Sequence, residues 1–201
     1  MKFLKLTALM LSLSMCALAV GGCSGGSGKS DTVIAEMVIK GYGTVTLTLD
    51  RSQAPITVDH FVKLAKDGSY DGSNFIRMQA GFVLQGGDGA KDNSTIKGEF
   101  SSNGVKNNIK HKKGVISMAR ANDPNSASSQ FFIVLDTSDM VTLSLDGNYA
   151  AFGEVTDGWD VIEKICADIT SDKFTSDYYG QAMGFLKEKY YITIETVKIK
   201  E

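Results

Sequence analysis

One arginine and two glutamines stand out in residues 75–88, a stretch otherwise rich in bulky apolar residues and glycine. In an extended segment, alternation places Arg77 and Gln79 on the same face, and Gln85 follows beyond a turn at Ala80-Gly81. Guanidinium and amide groups supply hydrogen bonds rather than a nucleophile. Taken alone, this stretch favours a hairpin with a solvated arginine, so its chemistry depends on what lies beside it.

A second stretch changes this interpretation. Residues 114–118 and 130–135 are apolar runs that predict two buried strands, and the loop between them carries the turn signals of residues 122–125. Neither His60 nor His111 has a candidate partner for a catalytic triad, and no Cys/His cluster suggests a metal site. The residues alone therefore indicate neither a catalytic triad nor a metal site.

Together, residues 75–88 and 114–135 closely resemble the two signature blocks of the cyclophilins, which are peptidyl-prolyl cis-trans isomerases. A third block, residues 143–155, follows in the family's order, and the resemblance covers essentially all of residues 33–200. Three separated blocks in one order make it specific. The resemblance implies an enzyme that rotates X-Pro bonds in proline-containing polypeptides and uses neither a metal nor another cofactor.

The resemblance also implies a role for each matching residue. Arg77 matches the catalytic arginine, and Phe82 and Gln85 match residues that act beside it. The residues that match the substrate-binding surface, from the rim to the walls of the proline pocket, are Val83, Ala119, Arg120, Ala121, Gln130, Phe132, Leu145 and Tyr149. In isolation, the apolar members of this set are residues that any barrel core would use, and an isolated arginine favours a surface ion pair.

The implied reaction suits these residue types. Rotation about an X-Pro bond must break the amide resonance, which sets a barrier of roughly 18–20 kcal/mol. An enzyme helps by binding the twisted amide more tightly than the planar one. In the twisted state the prolyl nitrogen regains a lone pair, which Arg77 would bind as a hydrogen-bond donor. The apolar pocket would grip the pyrrolidine ring, and Gln85 would hold the moving carbonyl or orient Arg77.

Four matching positions depart from the best-known eukaryotic pattern. Ser144 replaces a tryptophan that binds cyclosporin, which predicts weak inhibition by that drug. Tyr149 replaces a histidine but keeps an aromatic wall, and Val83 replaces a methionine and leaves the pocket roomier. Arg120 replaces an asparagine and makes the rim more positive. These changes bear on drug sensitivity and substrate preference more than on the reaction.

The elements that must position these residues are short. Residues 32–39 and 44–49 predict a first strand pair, and Pro55 suits the first position of a helix that stops before Gly68. Helical spacing after Gly158 predicts a second helix. The chain then closes on an alternating strand near its C-terminus.

Two longer segments complete the tally. The sequence of residues 89–113 predicts a long loop with little regular structure. Residues 176–189 repeat apolar side chains at helical intervals, which suggests an extra amphipathic helix. About eight short strands with two well-separated helices predict a mainly β fold, a closed eight-stranded antiparallel barrel capped by the helices. The specific cyclophilin topology follows only from the resemblance.

The first 30 residues predict export. A basic start and an apolar run up to Val20 have signal-peptide length and are too short to span a bilayer comfortably. The run ends at Val20-Gly21-Gly22-Cys23, which resembles the lipobox of bacterial lipoproteins. Residues 1–22 thus predict a lipoprotein signal peptide, and residues 23–30 a lipidated Cys23 with a Gly/Ser tether. An ordinary secretory signal is the alternative.

These features predict residues 31–201 as one isomerase domain, lipid-anchored on the extracytoplasmic face of a bacterial membrane and assisting the folding of exported proteins. A net charge of −2 without a basic stripe argues against binding to nucleic acid, and nothing suggests more than a monomer.

Two alternative functions belong to other classes of protein. One is a proline-binding module or holdase without turnover, which would not need Arg77. The other, a solute-binding lipoprotein, is disfavoured because no alternating strand–helix pattern appears.

Overall fold

The computed structural model of this protein describes residues 30–175 and 183–200, which form a mainly β fold. Its strands are β1 Thr32–Ile39, β2 Gly43–Asp50, β3 Asn74–Phe75, β4 Arg77–Gln79, β5 Val83–Gly86, β6 Val115–Met118, β7 Phe131–Val134, β8 Ala151–Asp157 and β9 Ile192–Lys200. The α-helices of the described part are α1 Pro55–Lys66, α2 Asp139–Leu145 and α3 Trp159–Asp168. None of these helices is both long and apolar enough to cross a membrane.

The strands form an antiparallel sheet in the order β3-β9-β1-β2-β8-β6-β7-β5-β4. Its two outermost members are consecutive in the chain, because only Ile76 separates β3 from β4. β3 pairs with β9 and β4 pairs with β5, so the sheet curls into a nearly closed barrel. The nine strand segments thus agree with the predicted eight-stranded barrel, since β3 and β4 act as two halves of one strand. The predicted fold class is confirmed.

The first strand pair and the first helix follow their local signals. Val45, Leu47 and Leu49 of β2 are fully buried while the threonines between them face outward, as the alternation predicts. Helix α1 begins at Pro55 and is followed by Gly68, which adopts a positive φ of 69°. The predicted strand pair and both predicted helices are therefore confirmed.

A residue of the long loop over residues 89–113 caps helix α1. The carboxylate of Glu99 accepts hydrogen bonds from the backbone N–H of Ile56 at 3.1 Å and from that of Thr57 at 2.7 Å. It also accepts one from the Thr57 hydroxyl at 2.7 Å. Because Glu99 is 2% exposed, these bonds satisfy both a buried charge and the first N–H groups of the helix. The predicted long loop therefore packs against the barrel although it contains little regular structure.

One helix was not predicted, and one predicted helix needs correction. Residues 139–145 form helix α2, which ends just before the turn at Gly147. The predicted helix over 176–189 falls partly on residues 176–182, which lie outside the described residues. From Phe185 onward the chain is extended and then makes a short 3-10 helix at Glu188–Tyr190, so that part of the prediction is wrong. The predicted signal peptide, Cys23 and tether up to residue 29 also lie outside the described residues.

Candidate active site

Three predicted site residues, Arg77, Gln85 and Phe132, lie in one row with Ser117 across strands β4, β5, β7 and β6. Arg77 pairs with Gln85, Gln85 with Phe132, and Phe132 with Ser117. Residues paired in this way share one face of a sheet. Their neighbours along the chain belong to the main barrel core: Met78, Leu84, Ile133 and Ile116. The row therefore lies on the outer face of the barrel wall.

A second, smaller apolar cluster covers this outer face. Its buried members are Val83, Val115, Phe132, Val134, Val141, Leu145 and Ala151. Phe82, Ala119 and Tyr149 are partly buried and pack against it. This cluster is separate from the core inside the barrel, so its apolar residues are not explained by the packing of the barrel interior. They are available to line a site.

Arg77 is held at the edge of this cluster by neutral oxygen atoms. Its Nη1 donates to Gln85 Oε1 at 3.1 Å, and its Nη2 donates to Gln79 Oε1 at 2.8 Å. Its Nε donates to the backbone carbonyl of Met183. Partial burial lowers the pKa of Arg77, and among the described residues no carboxylate counters that effect. The guanidinium is thus oriented on three sides while its positive charge is left for a ligand.

Gln85 is oriented in turn by a chain of amides that ends on a carboxylate. Gln85 Nε2 donates to Gln130 Oε1 at 2.8 Å, and Gln130 Nε2 donates to Asp88 Oδ1 at 2.8 Å. Because Arg77 has only donors and the Asp88 carboxylate only acceptors, these bonds can all form with just one orientation of each amide. We call Arg77, Gln85, Gln130 and Asp88 the amide relay. It fixes the direction in which Arg77 presents its N–H groups.

Arg77 and the smaller apolar cluster surround a cavity of about 280 Å³. We call it the proline cavity, after the pocket that the cyclophilin resemblance predicts. Its lining contains nine of the predicted site residues: Arg77, Phe82, Val83, Gln85, Ala119, Arg120, Phe132, Leu145 and Tyr149. Phe132 and Tyr149 meet edge to face, with their ring centroids 5.5 Å apart. Such a pocket offers apolar walls to a ring and places the guanidinium of Arg77 at its side.

The remaining predicted residues lie beside this cavity. Ala121 and Gln130 line an adjoining rim cavity, which shares Gln85, Ala119 and Arg120 with the proline cavity. The structure therefore brings all predicted site residues of the described part into one groove with two connected compartments. The role of each residue in the reaction stays a prediction.

Arg120 does not extend freely into the groove. Its Nε donates to the carbonyl of Asn148 at 2.9 Å and its Nη1 to that of Ala121 at 2.8 Å. The guanidinium carbon also lies 4.8 Å from the ring centroid of Tyr149 and 5.2 Å from that of Phe100. These contacts tie the rim to the wall of the proline cavity. Arg120 thus serves the shape of the groove as well as its charge.

His111 supports the floor of the proline cavity from behind. Its ring stacks on Phe132 at a centroid distance of 6.1 Å, and Asp146 Oδ1 accepts hydrogen bonds from its Nδ1 and its backbone N–H, both at 2.9 Å. Nδ1 therefore carries a proton, and Nε2 accepts from the Ser117 hydroxyl at 3.0 Å. The expectation that His111 lacks triad-like partners is wrong. However, His111 and Ser117 are at most 1% exposed, which keeps this trio from a substrate.

Several residues of the site were not assigned by the sequence. Gln79 stood in the first stretch without a role, and Asp88 was noted only as the end of that stretch. Met183 and Phe185 also line the proline cavity, although their segment was predicted as a helix. The alternation of Gln79 with Arg77 was a usable signal for the first of these. Nothing in the local pattern indicates that residues 183–185 reach Arg77.

Comparisons with known proteins agree with this geometry. The family model described as cyclophilin type peptidyl-prolyl cis-trans isomerase/CLD matches residues 34–181. A peptidyl-prolyl cis-trans isomerase of Acinetobacter baylyi is 33% identical over 191 residues, which cover 94% of this chain and 96% of that protein. Peptidyl-prolyl cis-trans isomerase A of Dickeya dadantii is 39% identical over 130 residues, covering 61% of this chain and 66% of that protein.

A solved structure extends the agreement to three dimensions. The cyclophilin type peptidyl-prolyl cis-trans isomerase of Cryptosporidium parvum, crystallised in the presence of the dipeptide Ala-Pro, is similar with a TM-score of 0.63 and 25% identity. The match covers 84% of this chain and 99% of that one. The predicted isomerase is confirmed by these relatives, and the chain belongs to the cyclophilin-type peptidyl-prolyl cis-trans isomerase family.

Proposed function

We propose that this isomerase acts on exported, incompletely folded polypeptides at the extracytoplasmic face of a bacterial membrane, to which a lipid on Cys23 anchors it. The observation that carries the reaction is the position of Arg77, which the amide relay holds beside an apolar cavity of about 280 Å³. The N-terminal pattern supports the location, because a lipobox-like cysteine is followed by a flexible tether.

In the proposed mechanism, the proline ring of the substrate enters the cavity among Phe82, Phe132 and Leu145. Three of the five N–H groups of Arg77 already donate to Gln85, Gln79 and Met183, and the other two donate to no described residue. These two N–H groups bind the lone pair that the prolyl nitrogen regains when the amide twists. The planar amide has no such lone pair, so this interaction lowers the barrier rather than only strengthening binding.

Gln85 orients Arg77 in this mechanism. Its carbonyl oxygen accepts from Arg77, and one of its amide hydrogens goes to Gln130. Its second amide hydrogen is then available for the carbonyl of the residue before proline. That carbonyl moves during rotation, while the proline ring stays in the cavity. The two alternatives considered for Gln85, orientation and carbonyl binding, are therefore compatible.

The apolar surroundings strengthen the effect of Arg77. Phe132, Val83 and Leu145 are at most 4% exposed, and they exclude water from one side of the reacting amide. A charge–dipole interaction is stronger in such a setting than in bulk water. Because the acceptors of Arg77 are neutral oxygens, no ion pair has to break before the substrate binds.

The reaction is tested with a short X-Pro peptide, whose cis-trans exchange rate is measured by NMR with and without the purified protein. We expect the wild type to accelerate exchange and Arg77→Ala to lose most of the acceleration while keeping its fold by circular dichroism. Ile56→Ala serves as a control, because Ile56 is an exposed apolar residue on α1, 44% accessible and outside the groove. A folded wild type that accelerates no peptide would leave a proline-binding module as the function.

The location is tested separately through Cys23. Expression in a bacterial host with a labelled fatty acid is expected to label the wild type and to place it in the membrane fraction. Cys23→Ser is expected to lose both the label and the membrane association. If the wild type is secreted without label, an ordinary signal peptide replaces the lipoprotein signal, and the isomerase reaction is unaffected.

A further inference from the structure

The segment Met183-Gly184-Phe185-Leu186, which we call the strap, closes one side of the proline cavity. Met183 and Phe185 line that cavity, whereas no strap residue lines the rim cavity. We propose that the strap forms a binding subsite for a large apolar side chain on the residue that directly follows proline in the substrate. This inference rests on the proposed reaction at Arg77 and names a preference that the reaction itself does not require.

Backbone hydrogen bonds fix the strap against β4. Met78 N donates to the carbonyl of Gly184 at 2.8 Å, and Leu186 N donates to the carbonyl of Ile76 at 2.8 Å. Phe185 also forms an antiparallel bridge with Arg77. The strap is thus an added strand-like edge beside the catalytic arginine, and its side chains hold defined positions.

Gly184 explains how the strap can lie so close. It has a φ of 75°, and a Cβ atom added to it would stand 2.3 Å from the carbonyl oxygen of Met78. Only glycine adopts this backbone conformation easily and allows this approach. Next to it, Leu186 is 2% exposed and anchors the strap in the main core. Both neighbours of Phe185 therefore serve to hold the strap in place.

The side chains on the strap's outer side are apolar and exposed. Phe185 is 37% accessible and Met183 is 49% accessible, and they account for two of the four large exposed hydrophobic residues in the described part of the chain. Apolar side chains grouped beside a binding cavity indicate a surface that becomes covered by a ligand. Aromatic and thioether groups suit an aliphatic or aromatic side chain.

The position of Gln85 gives the direction of the substrate. Gln85 and Ala119 line both the proline cavity and the rim cavity, and the proposed mechanism places the carbonyl before proline at Gln85. The residue before proline therefore lies toward the rim. Phe185 lines the proline cavity but not the rim cavity, and the Arg77 guanidinium carbon lies 5.9 Å from its ring centroid. The chain that leaves the proline ring consequently meets the strap.

The test uses two blocked peptides, Ala-Ala-Pro-Phe and Ala-Ala-Pro-Gly, and measures both exchange rate and binding affinity by NMR titration. In the wild type we expect the phenylalanine peptide to bind about tenfold more tightly, as partial burial of one aromatic side chain implies. Phe185→Ala is expected to reduce this ratio to about one, and Met183→Ala to reduce it by a smaller factor. Ile56→Ala should keep the wild-type ratio.

A second pair of peptides varies the residue before proline, Phe-Pro-Gly against Gly-Pro-Gly. The ratio of their affinities should be the same in the wild type and in Phe185→Ala. The proposal fails if the wild type shows no preference after proline, or if Phe185→Ala weakens all peptides by one common factor, which would assign Phe185 only a supporting role beside Arg77. Binding without any turnover would refute the reaction but would still measure the subsite.

Discussion

The two faces of the same barrel wall differ in what they do. Inward-facing residues of β4, β5, β7 and β6 are apolar and belong to the main core, whereas the outward-facing row from Arg77 to Ser117 carries hydrogen-bonding groups and a second apolar cluster. Leu84 and Gln85 show the contrast directly, since one is completely buried in the barrel and its neighbour orients Arg77. A one-residue alternation therefore separates stability from chemistry.

The comparison also shows how the outer face tolerates polar groups. Along the amide relay, donors and acceptors satisfy one another, and within the described residues no buried side-chain nitrogen or oxygen lacks a partner. A half-satisfied network would cost more than an apolar surface. The inner face needs only shape and volume, while the outer face needs a particular order of hydrogen bonds.

The largest expected effect is on the inner face. Leu84→Ala removes a side chain with 0% exposure and leaves a cavity, so we expect the free energy of unfolding to fall by about 3 kcal/mol. Denaturant unfolding measures this change. The exchange rate per folded molecule should stay at the wild-type value, and a large loss of rate would show that the two faces are not separable.

Arg77→Lys makes the opposite change on the outer face. Lysine keeps the positive charge but cannot donate from a planar fork to Gln85, Gln79 and the substrate together. We expect kcat/KM to fall about 100-fold, close to the loss of one positioned donor in a transition state. Stability should change by less than about 1 kcal/mol, because Arg77 is only partly buried. A lysine variant with full activity would exclude the fork geometry as the cause.

The far end of the amide relay is expected to matter less. Asp88→Ala removes the acceptor that orients Gln130 and should lower kcat about tenfold with a smaller change in KM, because Asp88 acts only through Gln130 and Gln85. Asp88→Asn keeps an acceptor oxygen and should recover most of the rate. Equal losses in both variants would assign the effect to charge instead of orientation, and unchanged kcat in both would remove Asp88 from the relay.

The smallest expected effect is on pH dependence. Burial lowers the pKa of His111 below its usual value, and this outweighs the opposing influence of Asp146; Lys110 lowers it further. His111 thus favours folding fully above its unfolded pKa, and its contribution is lost as pH falls through about 6.5 toward the folded pKa.

His111→Gln tests this directly. Between pH 7 and pH 5, the wild type is expected to lose more stability than the variant, because only the wild type has a buried imidazole that takes up a proton less readily in the folded protein than in water. The measurement compares unfolding midpoints of both proteins across that range, so that contributions from carboxylates that do not contact His111 cancel. Identical slopes would show that the His111 ring does not couple folding to protonation.

Much of the site could be predicted because its signals are local. Arg77 and Gln85 stand on adjoining strands of a short hairpin, and alternation decides which of their neighbours turn inward. The boundaries of α1 also follow from local rules, with Pro55 at its start and Gly68 after its end. Helix α2 was missed because seven residues carry too little periodicity to separate a helix from an apolar turn.

What the sequence by itself determined is the alternation of inner and outer residues, the blocks that carry the site, and the family. What only the tertiary structure decided are contacts between distant residues: Glu99 on the start of α1, Asp88 at the end of the amide relay, and the strap beside Arg77. Arg77 and Met183 are 106 positions apart, and no local rule links them. Such contacts arise when the barrel closes, because closure brings together segments whose own residue patterns carry no sign of each other.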